Sequence, residues 1–228
     1  MGVWEVFPGY LSDQQLEEQL QVLGRLAAEP EVPGADLTLK HWRGYEPALA
    51  WLEAWGVAEL RLRGSDRPLT PVTCQMVWPP AFEIPPANQF ARLRSQHQAG
   101  RIAVPKTPQQ LWAQHKYSVM ARDPARYRAL GRRVALGKDG DFASLAEELL
   151  LILRELPQPG RLFNALEHLW GYVANQAGEA ERRAARHSAA ALLENTAALA
   201  VRLQVPYLLS STALTDLAIF VAREGAQA

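Results

Sequence analysis

Two helix starts stand one behind the other between Thr107 and Gly137, and that stretch constrains the fold more than any other. Thr107 offers a capping hydroxyl, Pro108 a fixed φ at the first helical position, and Gln110 the far member of a capping box. Asp123 and Pro124 repeat the signal and Gly137 supplies a stop. The sequence therefore predicts one helix over about 108–122 and a second over about 124–136. In the second, Tyr127, Leu130 and Val134 recur at helical spacing and would face inward, with Arg126, Arg128, Arg132 and Arg133 on the sides and back.

Charge concentrates in the same region. Residues 92–138 carry eleven basic side chains and one acid, Asp123, a net of +10, whereas residues 1–91 carry −6 and residues 139–228 carry −4. The formal net charge of +0 hides this polarity. A cationic segment in an acidic chain is what binding of a phosphate backbone or an acidic partner requires. It is also what a helical face paired with the chain's own acidic flanks would look like.

Helical periodicity recurs on both sides. Ser12 and Gln15 form a capping box ahead of Leu16, Leu20, Leu23 and Leu26, and a second helix opens near Tyr45 and runs to Gly64, with Trp51 and Trp55 four apart and packed together. Eight of the sixteen prolines lie between Pro68 and Pro108, so that stretch reads as an ordered crossing with a short helix over 88–98 and Trp78, Phe82 and Ile84 across a core. Beyond it, Asp141 caps a helix buried through Leu145, Leu149, Ile152 and Leu153. A helix over 161–176, a long alanine-rich helix over 179–203 and a last apolar helix over 205–223 follow. Strand signals are nearly absent. The expected fold is all-α, two helical sub-units joined by a proline-rich crossing, residues 1–106 and 107–228.

With 228 residues and 48% hydrophobic content the chain has material for one medium core or two small ones. No apolar stretch reaches the ~18–20 residues that span a bilayer, and no secretory leader pattern is present, so a cytoplasmic location without membrane attachment is expected. The single Cys74 excludes an internal disulfide and a cysteine metal cluster, and reads as a packed residue or a nucleophile. His115 and His168 lie on separate helices without the spacing of a metal motif, so no metal or cofactor is expected. Asn164 and His168, four apart, would share a helix face and could build a polar pocket with His115, Tyr117, Tyr127 and Tyr172.

The stretches LWAQHKYSVMARDPARYRALGRRVA, GRLFNALEHLWGYV and LQVPYLLSSTAL together resemble the YbgA-like domain of unknown function (DUF1722) over about residues 107–217. The resemblance marks His115, Lys116, Tyr117, Tyr127, Arg128, Gly131, Asn164, His168, Gly171 and Tyr172 as motif positions. It implies a helical fold and an association with DNA-repair and nucleobase-modifying neighbours, without a settled chemistry. The first half, through MGVWEVFPGYLSDQQL and HWRGYEPALAWLEAWGVAELRLRG, resembles pyrimidine-dimer DNA glycosylases of the endonuclease V type. Those enzymes form an imine through the N-terminal amine and use a glutamate on the first helix. Here Gln15, Gln19, Leu20, Gln21 and Val22 replace that helix's catalytic run, while removal of Met1 would expose the Gly2 amine.

Three functions follow as expectations. The first is a DNA-repair-related protein binding nucleic acid through Arg25, His41, Lys116, Arg122, Arg126, Arg128, Arg132 and Arg133. The second is an enzyme, either a glycosylase using Gly2 or a small-molecule enzyme using the His/Asn/Tyr pocket. The third is a module whose basic helices dock an acidic protein.

Overall fold

The computed structural model describes residues 3, 4, 6–28, 42, 44–69, 72, 85–96, 100–137 and 141–225. Among these the protein is helical throughout, as expected, and it divides into two compact units, Met1–Val104 and Pro105–Ala228. Gly2, His41, Cys74, Trp78, Phe82 and Ile84 lie outside the described residues, as does part of the proline-rich crossing.

Unit 1 holds a 3₁₀ turn at Pro8–Tyr10 and helices α1 (Asp13–Ala28), α2 (Glu46–Leu62) and α3 (Pro86–Ser95). The Ser12–Gln15 box forms as the sequence predicts: Gln15 N–H donates to Ser12 Oγ at 3.2 Å and Ser12 N–H to Gln15 Oε1 at 3.0 Å. Gly56 lets α1 lie close on α2, since a Cβ there would stand 2.9 Å from Leu20 Cδ2. Trp51 and Trp55 meet edge to face at 5.9 Å.

The turn after the N-terminal segment is clamped by charge and by backbone contact. Glu59, fully buried on α2, accepts from Arg101 at 2.7 Å through both oxygens and from Arg63 at 3.0 Å. Burial works against its charge, but the two guanidiniums outweigh it and hold the carboxyl below the usual glutamate value. Arg63 reaches on to the Leu11 carbonyl at 2.9 Å, and Ile102 N–H donates to Gly9 O at 2.8 Å. Gly100 sits so close that a Cβ would meet Gly9 O at 2.4 Å and Leu11 O at 2.5 Å.

Unit 2 holds α4 (Pro108–Arg122), α5 (Pro124–Ala135), α6 (Phe142–Leu153), α7 (Pro159–Trp170), α8 (Glu179–Ala184), α9 (Ala189–Arg202), α10 (Pro206–Leu209), α11 (Ala213–Asp216) and α12 (Ala218–Gly225). The predicted double start is present: Thr107 Oγ1 accepts from Gln110 N–H, and one Asp123 oxygen accepts from Ala125 and Arg126 N–H. Gly137, at φ 61°, closes α5. α4 is the central element, packed by α5, α6, α7 and α11.

Two predicted helices are broken. The alanine-rich helix stops after Ala184 and restarts where Ser188 Oγ accepts from Ala191 N–H. The last helix becomes α10, α11 and α12, because Ser211 and Thr212 offer the backbone other partners: Ala213 N–H donates to Ser211 Oγ, and Thr212 N–H leaves the helical ladder for Gln114 O at 2.9 Å.

Replacing Gly100 with alanine puts a methyl against backbone that cannot rotate away. The expected cost is ~1–3 kcal/mol, read as a lower urea midpoint of unit 1, with Gly24→Ala, where the space is open, as the neutral or stabilising control.

Candidate functional site

Sequence order on α4 decides where its polar groups point. His115 and Tyr117, two residues apart, sit about 200° apart around the helix and serve different places. On one side His115 is buried at 3% exposure with its Nδ1 3.2 Å from Thr212 Oγ1. Burial lowers its pKa to about 4, with Asp216 raising it slightly and Arg122 opposing. The expected shared pocket with His168 is thus corrected: His115 belongs to the core facing α11.

Arg122 belongs there too. Its side chain is fully buried and forms a bidentate pair with Asp216, at 2.7 and 2.9 Å, and it also donates to the Glu155 and Ser118 carbonyls. Placed by the sequence among the nucleic-acid-binding cations, it has no surface to offer; it is a structural ion. Asp216 and Thr212 were not singled out in the sequence because an isolated Asp in an apolar run carries no motif.

On the other side of α4, Lys116 and Tyr117 meet two other elements. The Tyr117 and Tyr172 hydroxyls are 2.9 Å apart, and the Tyr117 ring lies near-parallel to exposed His168 at 6.4 Å. Tyr207, brought in at the start of α10, closes the group at 4.7 Å from the Tyr172 ring and 6.4 Å from Tyr117. Its arrival depends on the turn before it, where Gln204 takes a left-handed φ of 50° and Val205 N–H donates back to Ala200 O. Lys116 Nζ stands 5.1 Å from the centroids of both Tyr117 and Tyr207.

These groups set each other's protonation. Burial disfavours the Lys116 ammonium, but the oxygens of Tyr207, Tyr172 and Tyr127 outweigh it and raise its pKa. Burial and the hydroxyl contact with Tyr172 drive the Tyr117 phenol well above its ordinary value. For Tyr207 burial pushes upward, and Lys116 with the two neighbouring phenols brings the net below the ordinary value. These groups surround the buried Tyr207 hydroxyl. Asn164 is exposed one turn before His168, and no hydrogen bond joins it to the group.

The arginines of α5 split into two sets. Arg126 pairs with Glu155 at 2.8 Å and Arg133 with Glu148 at 2.8 Å, so this flank is neutralised by the acids of α6 and the turn after it. Arg128 and Arg132, one turn apart, are exposed and make no ion pair among the described residues. Tyr127 packs on Trp112 at 5.5 Å, and Gly131 lies beside the Trp112 ring. Arg25 is exposed on α1, its Nε 3.4 Å from Gln21 O.

On α1, Gln15 and Gln19 are buried, Gln15 bonded to Gln96 and Gln19 accepting from Trp4 N–H, and Val22 is buried. Glu17 pairs with Arg67 and Glu18 accepts from Gln14. Among the described residues no group of three His, Cys, Asp or Glu could hold a metal, and no helix is long and apolar enough to cross a membrane.

Residues 116–215 match the family model described as a protein of unknown function (DUF1722). The match spans the tyrosine group, the split arginine face and α11 as far as Thr215. No curated protein and no solved structure matches the chain.

Two measurements test this geometry. Arg122→Ala leaves Asp216 buried and unpaired, at a cost of ~3–5 kcal/mol in chemical unfolding of unit 2, and Arg122→Met with Asp216→Leu recovers much of it. His115 is held neutral in the folded state, so the unfolded chain binds more protons between its ordinary pKa of 6.5 and about 4. Stability should fall as pH drops through that window, by up to roughly 3 kcal/mol, and His115→Gln should flatten the slope.

Proposed function

We propose that this is a nucleic-acid-binding protein and that unit 2 carries the binding face. The observation that supports this reading is the outer flank of α5: Arg128 and Arg132 are exposed without acidic partners among the described residues, and they continue from Tyr127, whose phenol lies near Lys116. Cations left unpaired in a protein of no net charge are free to take phosphates, and each phosphate neutralised releases counterions. The DNA-repair setting rests on the family resemblances, and the glycosylase chemistry at Gly2 is a separate proposal that borohydride trapping on dimer-containing DNA decides.

Fluorescence anisotropy with labelled oligonucleotides between ~50 and ~200 mM salt tests the reading. Binding should be salt-sensitive. Arg128→Ala with Arg132→Ala should flatten the log–log salt slope by up to ~0.7–0.9 per lost phosphate contact. Arg126→Ala with Arg133→Ala should leave the slope nearly unchanged, because those side chains are already paired. No binding at ~50 mM salt, or an equal effect of the two double variants, refutes the assignment.

A further inference from the structure

Phosphate binding by α5 leaves one surface of unit 2 without a role. Tyr172 is 44% exposed, yet its ring is held in place by the Tyr117 hydroxyl at 2.9 Å and by the Tyr207 ring at 4.7 Å and 34°. A large side chain fixed by two neighbours and still open to solvent loses little freedom when a flat ligand covers it. His168, one turn earlier, exposes a second ring beside it.

Polar groups stand next to these rings. Lys116 is anchored over Tyr117 and Tyr207, with its charge favoured by three phenol oxygens. The Tyr207 hydroxyl is buried beside it, among Lys116 and the Tyr117 and Tyr172 phenols. A held aromatic face and a held cation call for a flat ring joined to an anion that accepts hydrogen bonds. An unstacked nucleotide has both, its base for the Tyr172 face and its phosphate for Lys116. A duplex presents base edges only, since its base faces are covered by their neighbours.

We infer that the Tyr172, Tyr207 and Lys116 group is a site for an unpaired nucleotide, which makes unit 2 a reader of single strands or extruded bases. This rests on the nucleic-acid reading above and adds its substrate class.

The test uses the whole protein with labelled oligothymidylate and oligodeoxyadenylate of about twelve nucleotides, and the duplex they form. Both single strands should bind more tightly than the duplex. Tyr172→Ala should weaken single-strand binding by at least ~5-fold and leave duplex binding unchanged, whereas Tyr172→Phe should keep most of the single-strand affinity. Should Tyr172→Ala fail to fold, 2-aminopurine in the single strand reads stacking on the unaltered protein. Quenching on binding is expected, and unchanged fluorescence overturns the site. Equal affinity for strand and duplex, with no effect of Tyr172→Ala, overturns the inference and leaves phosphate binding by Arg128 and Arg132 standing. No binding of any oligonucleotide overturns both.

Discussion

Unit 2 is held around a charge that cannot reach water. The Arg122 guanidinium lies at the end of α4 with no exposed surface, and its bonds run to the Asp216 carboxylate on α11, to the Glu155 carbonyl after α6 and to its own helix at Ser118. Arg161 of α7 then donates to the Arg122 carbonyl at 2.6 Å. Four segments are thereby fixed about one residue. A buried ion pair adds little net stability compared with apolar packing, but a buried ion left alone is costly, so arrangements that separate these segments are penalised.

The basic segment carries two kinds of cation that a charge count merges. From Arg92 to Lys138 the chain looks uniformly basic, yet Arg101 lies against Glu59, Arg122 against Asp216, and Arg126 and Arg133 against Glu155 and Glu148. Much of the segment's charge is spent inside the protein. Among the four arginines of α5, Arg128 and Arg132 make no ion pair within the described residues, and there the charge remains for something else. Electrostatic function on this surface is therefore a matter of which arginines lack partners rather than of how many there are.

How far the sequence could be read follows from how local each signal was. The Thr107 and Asp123 caps, the Ser12–Gln15 box and the Gly137 stop involve residues within four of one another, and all of them formed as the pattern predicts. The long alanine-rich helix and the last apolar helix break because hydroxyl residues take partners that composition does not reveal. Thr212 prefers the Gln114 carbonyl to its own helix, and that choice turns Asp216 toward Arg122. The candidate pocket was half legible: Tyr117, His168 and Tyr172 do meet, His115 faces away from them by helical geometry, and Tyr207 joins through a left-handed turn at Gln204 that no residue type at that position announces.

The pair that centres unit 2 joins residues 94 positions apart. During synthesis α4 is therefore complete long before its counter-charge exists, and Arg122 must stay hydrated until the segment carrying Asp216 arrives. Closing so long a loop is slow compared with forming any one helix, so docking of α11 is the natural last step of assembly. Until then Thr212 cannot meet His115, and the chain around α4 keeps an open, wet centre. The order in which this protein acquires its core is thus set by where in the chain a single aspartate was placed.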